Sequence, residues 1–281
     1  MQHHRIASWL FMMTLIVVHA PGAADVDYLE VGEVAAITAA SVSAFYLGSK
    51  LKSFDSTKKS LLAGPLPLES SLQSLLGGRC ILGKRNFLDS KGGSAFTATI
   101  VAAGLIGVNA TWPRDIREKV ILQDMFLFGS GLMATKGITD MAKGLVARER
   151  PLPCLHPDLA DKRTNSNYRF DHQSFFSGHA SSAFFASLFL NKRIRATMRQ
   201  KLPNNKYRRY RWVPSITLIG WASFVGWTRI QAYRHYVTDV LAGAAVGYAM
   251  SELLFSFTDD YASDSSGGSG APMFIQFNFA F

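Results

Sequence analysis

Cysteine is scarce in this chain: only Cys80 and Cys154 occur among 281 residues. Two cysteines cannot build a zinc site by themselves, and no neighbouring pair of histidines suggests one. The two cysteines could be free thiols or, in an exported protein, form a single disulfide.

Charge is also low, at 18% of residues, against about 25% in an ordinary soluble domain. Composition therefore leaves both membrane-embedded and soluble classes open.

Acidic residues are missing from residues 192–211, which contain nine lysines and arginines, and the whole chain has a net charge of +10. Such a run is typical of a solvated loop, or of a cytoplasmic loop between membrane helices. A basic protein can also bind nucleic acid. However, the chain has no nucleic-acid-binding motif and no basic helix with base-reading residues, so we expect no nucleic-acid partner.

Strand signals and long uncharged runs are scarce as well. Only the stretch from Ser94 to Pro113 meets the length of ~20 uncharged residues that a membrane span needs. The other apolar runs are short or contain charge: 32–48, 120–142, 180–190, 213–227 and 240–257. Together they predict an all-α bundle. The helices could cross a membrane and carry functional polar residues, or form the core of a soluble bundle.

The two ends of the chain differ from its centre. Residues 1–24 are predicted to be a signal peptide, because Arg5 precedes an apolar run at 6–18 and small residues follow at 22–24. A retained membrane anchor is the alternative. Residues 25–93 form an N-terminal helical and loop region, and 94–258 the helical core. Residues 259–281 comprise a polar linker and a strand-like tail with alternating apolar positions, although one such strand cannot close a barrel.

Three polar clusters interrupt the apolar runs. In the first, Lys143 and Arg150 are seven positions apart and precede Pro151. In one helix this spacing places both cations on the same face, where they could clamp an oxyanion. A solvated cationic helix end is the more common origin of such a pair.

The second cluster contains Ser177, Gly178 and His179 at the start of an apolar run. Backbone N–H groups and a hydroxyl at a helix start bind anions well, and the adjacent imidazole could donate a proton. Alternatively, Ser177 is simply the helix N-cap and the histidine is incidental.

The third cluster contains Arg229, His235 and Asp239. His235 and Asp239 have i, i+4 spacing, so they would be neighbours on a helix face. A carboxylate bonded to one ring nitrogen would fix the tautomer and leave the other nitrogen able to attack, while Arg229 adds a cation. A surface His–Asp pair is the alternative.

Taken together, the three clusters resemble the type 2 phosphatidic acid phosphatase family, which includes bacterial acid phosphatases and vanadium haloperoxidases. The family pattern is Lys-x6-Arg-Pro, then Pro-Ser-Gly-His, then Ser-Arg-x5-His-x3-Asp. The first part is complete here, whereas Phe176 replaces the proline of the second and Thr228 the serine of the third. The resemblance covers residues 119–252, about half of the chain, and every charged or imidazole position is present.

The resemblance implies a role for each matching residue. His235 would attack phosphorus, oriented by Asp239, and His179 would protonate the leaving alcohol and later activate water. The remaining residues would hold the phosphoryl oxygens: Lys143, Arg150, Arg229, Ser177 and the backbone N–H of Gly178. Three cations would supply the charge stabilisation that phosphoryl transfer needs, so neither a metal nor another cofactor is expected.

The basic run and the predicted signal peptide indicate a cellular setting. We expect a bundle with five or six membrane spans in a bacterial inner membrane, its active site facing the periplasm, opposite the basic run. Candidate substrates are lipid phosphates: phosphatidate, phosphatidylglycerol phosphate, polyprenyl diphosphate or a lipid A phosphate. The alternatives are a soluble periplasmic acid phosphatase, a vanadium haloperoxidase, and a non-catalytic membrane or assembly protein.

Overall fold

A computed structural model describes residues 31–53, 65–76, 92–151 and 172–257. All regular secondary structure within these ranges is helical, which confirms the predicted all-α class. The helices are α1 (Val31–Ser53), α2 (Glu69–Leu76), α3 (Gly92–Asn109), α4 (Arg114–Val146), α5 (Gly178–Lys201), α6 (Asn204–Tyr210), α7 (Trp212–Gln231) and α8 (Val237–Ser256). The predicted signal peptide, the terminal tail, Cys80 and Cys154 lie outside the described residues.

Helix α5 lies at the centre of the bundle and packs against α3, α4, α7 and α8. Aromatic rings fill the space between these helices: Phe189 of α5 has its centroid 6.0 Å from that of Phe128 in α4 and 5.8 Å from that of Phe255 in α8. All three are buried. The two helices of the N-terminal region pack on this core, α1 along α4 and α2 against α7 and α8.

The apolar stretch beginning at Ser94 is shorter than expected. Helix α3 ends at Asn109, whose side-chain amide donates a hydrogen bond of 2.6 Å to Asp124. Within the described ranges, two helices are long and apolar enough to cross a membrane, Gly32–Lys52 and Val237–Ser256. Length and composition therefore single out fewer candidate spans than the five or six expected.

Helix α4 continues through the charged positions that interrupt its apolar run, because those charges are paired. Asp124 forms an ion pair with Arg193 of α5. Asp140 pairs with Lys52 of α1, at 2.9 Å, and with Lys136 one turn earlier in α4. Paired charges can be accommodated between packed helices. These contacts therefore help to tie α4 to its two neighbours.

The basic run 192–211 is mostly helical, so the expectation of a loop was wrong. It comprises the last ten residues of α5 and all of α6. Two of its cations are paired with acids of other helices, Arg193 with Asp124 and Lys192 with Glu252. Helix α5 has 24 residues and begins at the second cluster, so its far end lies about 36 Å from that cluster. The basic run occupies this far end and continues beyond it.

Helices α1 and α4 approach closely through glycine. A Cβ atom at Gly137 would lie 2.4 Å from the Ala44 backbone, whereas one at Gly129 in the same helix would meet nothing within 4 Å. We expect Gly137→Ala to lower the free energy of unfolding by about 1–3 kcal/mol, because the added methyl forces the helices apart.

Gly129→Ala is the matched control. It should stabilise α4 by roughly 0.5–1 kcal/mol, because alanine loses less backbone entropy in a helix. Thermal unfolding of both variants in the same detergent checks the pair. Equal melting temperatures would contradict the close packing of α1 on α4.

Candidate active site

The three clusters meet at one end of the bundle, where α4 ends, α5 begins and α7 turns into α8. Two backbone hydrogen bonds join the segments. The Ser174 N–H donates to the Arg148 carbonyl at 2.9 Å, and the Ser177 N–H donates to the Asp239 carbonyl at 2.9 Å. Residues far apart in sequence are thus held together by main-chain contacts.

The first cluster is not one continuous helix, as its spacing had predicted. Helix α4 ends at Val146, because Ala147 adopts the left-handed conformation (φ 48°, ψ 37°) and its N–H bonds the Lys143 carbonyl. Arg150 therefore follows a turn. Its guanidinium donates to the carbonyls of Arg234, at 3.1 Å, and Gln173, at 3.3 Å. The turn, rather than a shared helix face, directs Arg150 towards the other two clusters.

His235 is buried just before α8, and its Nδ1 lies 2.7 Å from the Ser174 carbonyl oxygen. A carbonyl only accepts hydrogen bonds, so Nδ1 carries the proton and Nε2 keeps its lone pair. The Asp239 carboxylate lies 3.8 Å from Nδ1. The Ser174 carbonyl therefore takes the ring hydrogen bond that the sequence had assigned to Asp239.

Burial lowers the pKa of His235 to about 3, with Asp239 opposing the shift and the positive charges of Arg150 and Lys143 adding to it. The imidazole is therefore neutral near pH 7. Lys143 and Arg150 are close enough for their positive charges to disfavour the imidazolium form. A neutral imidazole with a fixed tautomer beside two cations is suited to attack an anionic electrophile.

Asp239 organises the segment around His235 from the first turn of α8. One oxygen accepts from the Tyr236 N–H at 2.9 Å and from the Ser174 hydroxyl. The other accepts from Arg148 at 2.7 Å. The carboxylate thus holds Ser174, whose carbonyl holds the His235 ring. Asp239 contributes to orientation through this neighbour as well as through its own charge.

Ser177 is the N-cap of α5, and its hydroxyl accepts from the Ala180 N–H at 3.4 Å. Ser177 can therefore act both as a helix cap and as part of an anion site, because the N-terminus of a helix also binds anions. A Cβ at Gly178 would lie 3.6 Å from the Lys143 Nζ, so the helix start adjoins that cation. His179 follows in the first turn of α5.

Arg229 is buried in the last turn of α7, and its carbonyl accepts from the Arg234 N–H at 3.1 Å. The two departures from the family pattern are accommodated. Thr228 donates its hydroxyl to the Val225 carbonyl at 2.7 Å. Phe176 is buried, with its ring edge-on to Phe175 at a centroid distance of 5.9 Å. Packing therefore holds the loop segment where the family has a proline.

Sequence reasoning gave no role to three residues of this site: Glu69, Arg148 and Ser174. Arg148 is buried and pairs with both Glu69 and Asp239. Its position between Lys143 and Arg150 in the Lys-x6-Arg-Pro motif could have marked it as a residue of the site. Glu69 comes from α2, 79 positions before Arg148, and nothing in its local sequence marks it. Within the described ranges, no group of three or more His, Cys, Asp or Glu is placed to hold a metal ion.

The part of the chain that contains the site matches a known protein family. The family model of the PAP2 superfamily matches residues 124–262. Mouse phospholipid phosphatase 1 is 28% identical over 155 residues, which are 50% of this chain and 53% of the relative. Human phospholipid phosphatase 2 is 27% identical over 151 residues, 48% of this chain and 50% of the relative.

The chain thus spans about half the length of the curated relatives it matches. No solved structure matches it. The matched region 124–262 contains every residue of the three clusters, and the predicted resemblance is confirmed. Through this domain the chain belongs to the PAP2 superfamily.

Proposed function

We propose that this protein hydrolyses phosphate monoesters of membrane lipids through a phospho-histidine intermediate on His235. One observation carries the proposal: the Ser174 carbonyl fixes the Nδ1–H tautomer of a buried, neutral imidazole, which leaves the Nε2 lone pair for attack. The curated relatives carry phosphatase names. The proposal extends that chemistry to this chain.

In the first step, the Nε2 lone pair of His235 attacks phosphorus in line with the leaving alkoxide. A P–N bond forms and the P–O bond to the lipid breaks. His179 donates its proton to the departing oxygen, so the lipid leaves as a neutral alcohol. The imidazolium formed at His235 keeps Nδ1–H on the Ser174 carbonyl and gains stabilisation from the Asp239 carboxylate.

In the second step, water attacks the phosphorus of the phospho-histidine. His179, now neutral, takes a proton from that water, the P–N bond breaks and inorganic phosphate leaves. The imidazole recovers its Nε2 lone pair, and His179 is again protonated. Each residue therefore returns to its starting state after one turnover.

Phosphoryl transfer depends more on charge stabilisation and in-line positioning than on covalent chemistry. Lys143 and Arg150 act on the same histidine, and Arg229 is buried at the adjacent helix end. We assign these three cations to the phosphoryl oxygens, together with Ser177 and the Gly178 N–H at the α5 start. With that charge in place, the proposed reaction proceeds without a metal cofactor.

The outer surface of α7 supports a membrane setting. Trp212, Val213 and Ile216 are at least half exposed, and the only charged residue of this helix, Arg229, is buried. A water-exposed helix normally carries charge on its outer face. An apolar outer face, together with the candidate spans in α1 and α8, fits contact with lipid acyl chains.

The end of the bundle opposite the site resembles a membrane–water boundary. Tyr210 and Trp212 are exposed there beside basic residues, with Arg211 4.9 Å from the Trp212 ring centroid. Aromatic and basic residues favour this boundary, and basic loops favour the cytoplasmic side. We infer that the active site faces away from the cytoplasm, on the periplasmic side if the host is a bacterium.

Phosphate release from a panel of lipid phosphates and a water-soluble ester, with and without EDTA, tests the proposed function. Release from the lipids, unaffected by EDTA, is expected. Preferential release from the soluble ester by protein extracted without detergent would favour a soluble acid phosphatase instead. Activity that EDTA abolishes and added metal restores would contradict the three-cation mechanism.

Lys143 should make substrate binding pH-dependent. This residue lies in the last turn of α4, and burial together with the nearby charge of Arg150 lowers its pKa to about 7. The free enzyme thus loses this cation above pH 7, whereas a bound phosphate dianion favours the charged form. Binding above pH 7 therefore takes up a proton, and KM should rise by up to about tenfold per pH unit.

Lys143→Arg is the matched control, because arginine stays protonated throughout this range. Its KM should be nearly constant between pH 7 and 9, where the phosphate group is already a dianion. Steady-state kinetics at constant ionic strength provide the measurement. A wild-type KM that does not change from pH 7 to 9 would show that Lys143 is not the titrating cation.

A further inference from the structure

We propose that Glu69, on the short helix α2, is a positioning residue for His235. The inference rests on the proposed function and assigns a role to part of the N-terminal region, which lies outside the matched family domain. Glu69 does not contact the reacting groups. It acts through a chain of directional hydrogen bonds that ends at the imidazole.

The first link joins Glu69 to α8 and the α4–α5 connection. One carboxylate oxygen accepts from Arg148 and from the Leu66 N–H, and the other accepts from the Thr238 hydroxyl. Glu69 and Arg148 are both buried. The guanidinium of Arg148 is planar and rigid. When Glu69 binds one of its terminal nitrogens, it therefore also fixes the direction in which the other terminal nitrogen donates.

The second link joins Arg148 to Asp239. Its other terminal nitrogen donates to Asp239 at 2.7 Å and to Thr238 at 2.9 Å. The guanidinium carbon also lies 4.3 Å from the ring centroid of Tyr236, so its plane is held from the side. Arg148 therefore bridges two carboxylates, one from α2 and one from α8.

The third link reaches the nucleophile. Asp239 accepts the Ser174 hydroxyl, and the Ser174 N–H bonds the Arg148 carbonyl at 2.9 Å. The Ser174 carbonyl then accepts the His235 ring proton at 2.7 Å. Ser174 is thus anchored through its side chain and its N–H to groups that Glu69 organises. Loss of the Glu69 charge should loosen the carbonyl that fixes the His235 tautomer.

Gln73, on the same helix, serves as a control that distinguishes the positioning of His235 from the attachment of α2 to the bundle. Gln73 is also buried and donates to the Ile230 carbonyl at 2.7 Å, at the end of α7. This bond holds α2 on α7 and does not involve Arg148. If α2 serves only as a structural cover, Glu69→Gln and Gln73→Ala should have similar consequences.

The experiment combines kinetics with ¹⁵N NMR of histidine-labelled protein in detergent. The chain has seven histidines, and the signal missing from His235→Gln assigns the relevant ring. Wild type should show the Nδ1–H tautomer at His235. Glu69→Gln should show both tautomers. Its kcat should fall by roughly 10- to 100-fold, as activity does when residues that orient metal ligands are mutated, and its KM should stay within about twofold of wild type. Gln73→Ala should retain the wild-type tautomer and kcat.

A wild-type His235 spectrum in Glu69→Gln would overturn the proposal, as would equal losses of kcat in the two variants. If Glu69→Gln does not fold, Thr238→Val cuts one Glu69 contact and should shift the tautomer in the same direction by less. The tautomer is read without turnover. A wild type inactive on every substrate would therefore refute the proposed function, while the spectra would still decide the role of Glu69.

Discussion

His235→Ala should abolish turnover, with kcat lower by roughly 10⁴- to 10⁶-fold, because the nucleophile and the covalent route disappear together. His179→Ala should behave differently for different leaving groups. On an alkyl phosphate it should lose about 10²- to 10⁴-fold, the usual contribution of a general acid. On an aryl phosphate the phenolate can leave without a proton, so phosphorylation of His235 should survive.

The second half-reaction makes the distinction sharper. Water attack still needs His179 as the base, so His179→Ala should accumulate phosphoenzyme from the aryl ester. Rapid mixing should show a burst of about one phenolate per site followed by slow turnover, and alkaline quenching should retain phosphate on His235. His235→Ala should show neither. A burst in His235→Ala would contradict the assigned roles. So would a rate of phosphoenzyme formation that falls equally for the alkyl and aryl esters in His179→Ala.

Arg148→Met should have the largest effect on stability. The arginine is buried and bridges Glu69 and Asp239, both of which are buried as well. Removing it leaves two carboxylates without their shared cation in a low-dielectric site. We expect the free energy of unfolding to fall by about 3–5 kcal/mol. Denaturant-induced unfolding in mixed micelles, followed by tryptophan fluorescence, provides the measurement.

The double variant Arg148→Met with Glu69→Gln tests the electrostatic cause. It removes one of the two uncompensated charges, so it should recover part of the lost stability without restoring activity. The recovery should appear as non-additivity in a double-mutant cycle. If the two changes simply add, the destabilisation of Arg148→Met comes from lost packing rather than from unpaired carboxylates.

The helical class and the composition of the candidate site could be predicted from the sequence because both leave local patterns. Apolar runs bounded by polar clusters indicate helices, and the types and order of residues in the clusters resemble one family. The same patterns misplaced some boundaries. The left-handed turn at Ala147 ends α4 before Arg150, and the charged positions of α4 stay helical because partners on other helices pair with them.

The sequence by itself determined which groups are available for chemistry: His179, His235 and Asp239 with several cations, in an order that predicts phosphoryl transfer. Only the tertiary structure decided how the nucleophile is oriented. The partner of His235 is the backbone carbonyl of Ser174, a group that every residue possesses and that therefore has no sequence signature. Glu69 is likewise identified only by packing, since it lies 169 positions before its partner Thr238. Buried polar groups bond whatever the fold brings within reach, and that choice is not local in the chain.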